Sequence, residues 1–329
     1  MAAFPRPSLA LEAPARAAGS AVAIQWLALP GAEQGLRWRL QRWGSLLPAL
    51  CRPHRMRLGA SAHFATRTTP TAELQRRFDE LFDLRRPAAC RTPYPFLYTQ
   101  GVIDLLQARI FAALGADRRC LWLLRHRSRV LVPDPALLGR VVQDIDCSLA
   151  RAVRVGPGEV LALLNTEIAD PGGRVLASVE DAYLVHGLTM ADAGQAEEDD
   201  LLRRSVSRMR RHTREIADGA EARRERMLYC SAATARRFAR LAGGSPQSPY
   251  PSPGLRDGSG TRYREAPLAP MLLRHLLARE LAEWGLDPRR LEIVFVAPAA
   301  AGQMLRLRQE GSRFELVDRH DRLLAFGRI

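Results

Sequence analysis

A chain of 329 residues, 47% apolar and 26% charged, can bury a sizeable core as one large domain or two small ones, and its composition is that of an ordinary globular protein. No apolar run reaches 18 residues, and the opening MAAFPRPSLALEAPARAAGS lacks the basic start, apolar core and cleavage site of a secretory leader, so a cytoplasmic location is the expectation. The net charge of +14 comes from 49 arginines and no lysine, and a surface of that sign attracts polyanions such as nucleic acid, anionic lipid, phosphorylated cofactors or acidic proteins.

Residues 1–20 are rich in Ala and Pro without periodicity and read as disordered. AVAIQWLALPG at 21–31 reads as a strand or short core segment, and GLRWRLQRWGSLLPAL at 35–50 sets Trp38, Leu40, Trp43 and Leu46 among arginines. That spacing predicts an amphipathic helix, docked on its own core or meeting a membrane surface or partner. RMRLGASAHFATRTT at 55–69 is strand-like, and TAELQRRFDELFDLRR at 71–86 predicts a helix opening in the manner of a Ser/Thr-x-x-Glu capping box. The apolar run PFLYTQGVIDLLQARIFAALG at 95–115 predicts a buried helix, and 121–132 a strand.

A meander follows at 153–187, strand, Gly/Pro break, strand, polar turn DPGGR, strand. Residues 189–240 connect to the second half through the acidic QAEEDD and an arginine-rich segment predicted to be a solvent-exposed helix. That segment lacks interleaved aromatics and any nucleic-acid motif, which argues against nucleic acid as its partner. GGSPQSPYPSPGLRDGSGTRYREAP at 243–267 is an irregular loop by its Pro, Gly and Ser content, and its GSG has no following Lys to make a phosphate loop. APMLLRHLLARELAEWGL at 269–286 is a second apolar helix, and 293–327 a looser second meander with the polar turn RHDR.

A buried helix followed by an antiparallel meander, twice, implies duplication. The expected fold is an α+β double hotdog, in which two antiparallel sheets, each wrapped on a central helix, join edge to edge. The expected boundaries are an N-terminal extension at 1–54, a first hotdog at 55–188, a charged helical linker at 189–235 and a second hotdog at 236–329.

Across 80–329 the pattern resembles the MaoC-like family of (R)-specific enoyl hydratases and 3-hydroxyacyl dehydratases, which act on acyl-CoA or acyl-carrier-protein thioesters. The family phrase, roughly Phe-Ala-x-x-Ser-Gly-Asp-x-Asn-Pro-x-His, is met here by RRFARLAGGSPQS at 236–248, where Phe238, Ala239 and Pro246 match. The later Ala-His-Gly-Met phrase is met by LAPMLL at 268–273. In that register the acid falls on Gly243, the asparagine on Ser245 and the histidine on Ser248, while the helix-opening His-Gly falls on Ala269 and Pro270. Hydration of an enoyl thioester needs a carboxylate and an imidazole converging on one water, and none of these residues supplies either. The resemblance therefore implies the fold, an acyl pocket beside Met271 and Leu272, and an acyl-thioester-binding protein that lacks the family's hydratase chemistry. CoA or phosphopantetheine would enter only as part of the substrate, with no separate cofactor. The implied partners are an acyl-CoA, an acyl carrier protein or an active homologous dehydratase, with the chain a monomer or homodimer.

Two residues offer substitute chemistry: Asp104 on the first central helix, where a carboxylate could activate water or pair with Arg109, and His275 one turn into the second. Retained dehydratase or thioesterase activity through them is the first alternative, and a basic module for nucleic acid or membrane the second. His186 ends a strand, and five scattered cysteines without C-x-x-C spacing imply neither a disulfide framework nor a metal site. Arg210, Arg211, Arg223 and Arg224, then Arg256, Arg262 and Arg264, are the arginines expected to meet an acidic partner.

Overall fold

The computed structural model describes residues 25–26, 62–82, 96–116, 121–156, 158–186, 224–242 and 268–329. The first half holds β1 (Gln25–Trp26), β2 (His63–Thr68), α1 (Ala72–Leu81), α2 (Gln100–Leu114), β3 (Leu121–Val130), β4 (Gln143–Gly156), β5 (Glu159–Ala169) and β6 (Val175–Val185). The second holds β7 (Arg224–Tyr229), α3 (Ala232–Leu241), α4 (Pro270–Glu283), β8 (Arg290–Phe295), β9 (Met304–Glu310), β10 (Arg313–Asp318) and β11 (Leu323–Arg328). All strands form one sheet in the order β1-β2-β4-β5-β6-β3-β8-β11-β10-β9-β7. Without β1, which runs parallel to β2, the order reads the same from either end about the antiparallel β3–β8 seam. This is the double hotdog: five strands and a long helix in each half, with one apolar core between the inner sheet face and the helices.

Local chemistry fixes the elements. Thr71 and Ser231 cap α1 and α3, their hydroxyls accepting the N–H of Leu74 at 3.1 Å and of Thr234 at 3.0 Å. Glu73 sits one position too early to complete a capping box, and its carboxylate instead takes Arg76 at 2.9 Å and Arg77 at 2.5 Å. α4 opens on Pro270, whose fixed φ suits the first helical position, and is buried through its first nine residues. The two polar turns form around aspartates. Asp170 accepts from the N–H of Gly172 and Arg174, and Asp318 from those of His320 and Arg322.

Three expectations change. Residues 224–229, expected within a linker helix, form edge strand β7 paired with β9, so the second half begins by Arg224 rather than at 236. RERMLY has the alternation of a strand, with Leu228 turned to the core while Met227 and Tyr229 stay exposed. The second meander also has one more strand than its sequence pattern suggested, because a turn at Gly311 (φ 56°) splits it into β9 and β10. The counterparts of β4, β5 and β6 are thus β9, β10 and β11, and β8 answers β3. The remaining segments interpreted from sequence, at 1–24, 27–61, 187–223 and 243–267, lie outside the described residues.

β11 closes on β8 through Gly327, where a Cβ would lie well inside contact distance of the Glu292 carbonyl oxygen and 2.6 Å from Phe314 Cζ. A backbone carbonyl in a ladder cannot move aside. Gly327→Ala is therefore expected to cost about 3 kcal/mol or more, the upper end for overpacking, in urea unfolding, whereas Arg174→Ala at the exposed β5–β6 turn leaves the midpoint nearly unchanged.

Candidate functional site

The most concentrated ionisable chemistry lies inside the seam. A bulge between Leu123 and Arg125 resets the alternation of β3, so that His126 faces inward beside Asp181 of β6. Both side chains are 0% exposed, and His126 Nδ1 lies 2.7 Å from Asp181 Oδ1. Asp181 also accepts from Gln107 Nε2 on α2 at 2.5 Å, and Gln107 Oε1 accepts from the Tyr183 hydroxyl at 2.7 Å. From the other half, Arg274 of α4 reaches across the seam. Its Nη1 is 3.3 Å from His126 Nε2, and its Nη2 donates to Gln100 Oε1 on α2 at 2.6 Å and lies 2.9 Å from His275 Nε2. Gln100 Nε2 passes the chain on to Asp104 Oδ1 at 2.5 Å, and the guanidinium lies 5.3 Å from the centre of the Phe96 ring.

Donor counting assigns the tautomer of His126. A guanidinium only donates, so Nε2 must accept from Arg274 and Nδ1–H must donate to the Asp181 carboxylate. Burial lowers the pKa of His126 more than Asp181 raises it, with Arg274 adding to the fall. His275 is pushed well below its ordinary value by burial, then by Arg274 and His126. Burial lowers Arg274 to about 10, against the opposing pull of Asp181 and Asp104, which leaves it a cation at neutral pH. The cluster is thus a cation set among carboxylates and neutral imidazoles.

The residues named from sequence fall in different places. His275 is buried on α4, its ring centre 6.1 Å from that of Phe82 and 5.7 Å from that of Phe238, rather than on a helix surface. Asp104 is half-buried and bonded to Gln100 one turn back; Arg109, five residues on, lies on a different helix face. Ala269 caps α4 without a side-chain hydrogen bond, and Met271 and Leu272 are buried in the core. His186 sits 3.1 Å from Glu159. Arg224 is exposed and donates to the Trp284 carbonyl at 2.5 Å. Gly243, Ser245, Pro246 and Ser248, with Arg210, Arg211, Arg223, Arg256, Arg262 and Arg264, lie outside the described residues. Among the described cysteines, burial raises Cys147 to about 12 and Cys230 to about 11, so neither is a ready nucleophile.

Sequence reasoning missed Arg274, His126, Asp181, Gln100 and Gln107. One signal was there. RRFDEL at 76–81 recurs as RRFARL at 236–241, marking α1 and α3 as equivalent, and their Phe78 and Phe238 rings pack edge to face at 6.2 Å beside His275. α3 ends against the other half. A Cβ on Gly101 of α2 would lie 2.7 Å from the Ala242 carbonyl oxygen, so the C-terminal end of α3 packs against the first turn of α2, beside Gln100. Both central helix openings and the end of α3 therefore converge on the polar cluster. Chemically, His126 has both ring nitrogens engaged and acts as a bridge between anion and cation, while Asp104 is the more exposed of the cluster's two carboxylates.

No protein-family model matches the chain, and no curated protein matches it by sequence. Solved structures do match. A MaoC-like dehydratase from Phytophthora capsici is 13% identical with a TM-score of 0.57, over 83% of this chain and 96% of that one. HtdX of Mycobacterium tuberculosis is 14% identical with a TM-score of 0.52, over 82% and 98%. The peroxisomal multifunctional enzyme type 2 of Drosophila melanogaster gives 12% and 0.51, over 82% of this chain and 48% of that larger one. At such identities the likeness shows the fold, a double hotdog shared with MaoC-like dehydratases.

Two outcomes follow from the buried cluster. Arg274→Met strands Asp181 without its cation and is expected to cost about 3–5 kcal/mol in chemical denaturation, with part regained when Asp181→Leu is added. The imidazoles titrate below their ordinary 6.5 when folded and return to it on unfolding, so the unfolded chain binds more protons in acid. Their stabilisation is present above pH 6.5 and is lost as pH falls through the lowered folded values, by up to about 1.4 kcal/mol per pH unit for each group. His275→Gln, which keeps an acceptor for Arg274, should remove one proton's worth of that slope.

Proposed function

We propose that this chain is a MaoC-like acyl-thioester protein that binds an acyl-CoA or the acyl group of a carrier protein, without the family's hydration chemistry. What supports the proposal is the double hotdog together with the register of the family phrase, in which Gly243 and Ser248 fall where the acid and imidazole would stand and the second central helix opens on Ala269 and Pro270. Pro270 has no N–H to offer at that helix start, and the fully buried carboxylate–imidazole pair among the described residues, Asp181–His126, is committed to Arg274. Binding would use the convergence of the two helix openings, with Met271 and Leu272 behind it and Asp104 at its polar edge. A second reading, residual thioester hydrolysis with Asp104 activating water, is favoured by that residue's partial exposure and its hydrogen bond from Gln100.

Spectrophotometric assay with crotonyl-CoA is expected to show no hydration, while medium-chain acyl-CoA raises the thermal midpoint. Turnover of roughly 1 to 10³ per second would overturn the proposal. Hydrolysis of the thioester, lost in Asp104→Asn, would instead establish the second reading. Restoring the pair with Gly243→Asp and Ser248→His tests the register of the phrase through a gain of hydration.

A further inference from the structure

We infer that the outer face of the sheet at the β3–β8 seam is a docking surface for an acidic protein. This deepens the proposed function by naming the kind of macromolecule that would bring the acyl group. Because His126, Ser128 and Val130 of β3 are buried on the inner face, Arg127 and Arg129 project from the outer one. Strand register then lays out the neighbours. Arg127 is opposite Glu292 of β8, and Arg129 is opposite Arg290. Arg328 of β11 is opposite Glu292 on one side and Arg313 of β10 on the other. Five arginines therefore lie on four adjacent strands, about 14 Å across at the usual strand spacing.

Their charge is not balanced within the patch. Glu292 is taken by Arg328 at 2.8 Å, and Glu180, beside Arg127 on β6, is taken by Arg125. Arg127, Arg129, Arg290 and Arg313 make no ion pair among the described residues, and Arg129, Arg290 and Arg313 are exposed. Two pairs of like charge, Arg129 with Arg290 and Arg313 with Arg328, stand directly opposite each other across neighbouring strands, where they repel. Elsewhere on the same sheet signs alternate: Arg308 meets Glu225 at 3.1 Å and Glu315 at 3.2 Å, and Arg67 meets Asp144 at 2.6 Å. The seam is where the pattern breaks.

The shape selects the partner. The patch lies on one face of the sheet, and the apolar residues flanking its arginines, Val294 and Phe326, are buried and half-buried, so no exposed ring is offered for base stacking. Carboxylates repeating three or four residues apart on a helix stand roughly 5–6 Å apart, close to the spacing of the strands, and each matches a guanidinium fork. A helix-bearing acidic protein therefore fits better than a nucleic acid.

The test is titration of the full chain with a purified bacterial acyl carrier protein, in its apo form and with its phosphopantetheine arm, at about 0.1 M and 1 M salt, where the Debye length falls from about 10 Å to about 3 Å. Arg129→Gln with Arg290→Gln should weaken binding of both forms on the order of tenfold at the lower salt. It should also raise the thermal midpoint there, an advantage that disappears at 1 M, because repulsion has been removed. Arg174→Gln, at the exposed β5–β6 turn, should do neither. Equal affinity of wild type and double variant, no binding of the apo form, or preferential capture of duplex DNA by the same arginines would overturn the inference. Failure of acyl-CoA to shift the thermal midpoint would count against the proposed function alone, since apo carrier protein has no acyl group to bind.

Discussion

A guanidinium taken out of water must be met by charge and hydrogen bonds, and apart from the neighbouring His275 Arg274 meets them in the other half of the molecule. It projects from α4 of the second half, while its acceptors, His126 and Gln100, and the nearby Asp181 belong to β3, α2 and β6 of the first. The ion cluster and the β3–β8 ladder thus join the same two halves, one by side chains inside the fold and one by backbone along the sheet. Relative rotation of the halves would strand a cation on one side and a carboxylate on the other, which costs several kcal/mol per ion. The neutral state of His126 follows from the same arrangement, because an imidazole between a carboxylate and a guanidinium must donate to one and accept from the other.

The two halves share topology but differ in interior chemistry. On the inner face of the first sheet His126, Ser128 and Asp181 are buried, and Gln107 meets them from α2. Leu291, Ile293 and Phe295 occupy the inner face of β8, and Ala325 that of β11. The second half contributes a cation and an apolar wall, the first its counter-ions. Duplication explains the shared strand order and the repeated RRF turns of α1 and α3, while the division of polar and apolar interiors marks divergence after it.

Legibility from sequence followed the range of the interactions. The turns at Asp170 and Asp318, the Thr71 cap, the Pro270 start and the apolar run of α2 depend on neighbours within four residues, and local sequence carries them. The burial of Arg274 and His275 does not. Both sit on a helix that is apolar nearly all round, and the groups that make a buried cation tolerable come from partners as distant as Gln100, 174 residues away. β7 was obscured differently, because its arginines and glutamate look like a solvated helix until Leu228 is seen to pack alone into the core. Of the family phrase, Phe238 and Ala239 fall on α3, while Gly243, Ser245, Pro246 and Ser248 lie outside the described residues.

β3 carries both faces of this problem. Its inward residues hold one cation under full compensation, and its outward residues, with those of β8, β10 and β11, hold several more with little. The acids that could have balanced them are already used: Asp181 inside, Glu180 by Arg125 and Glu292 by Arg328. A seam arranged for stability alone would alternate signs, as the flanking strands do at Arg308 and Arg67. Repulsion left standing at the junction of the halves lowers the stability of the isolated chain, and carboxylates arriving from another molecule would relieve it. The same arginines then set the orientation of that molecule, because each guanidinium fork donates to a carboxylate in few geometries and the strand spacing fixes where the forks stand.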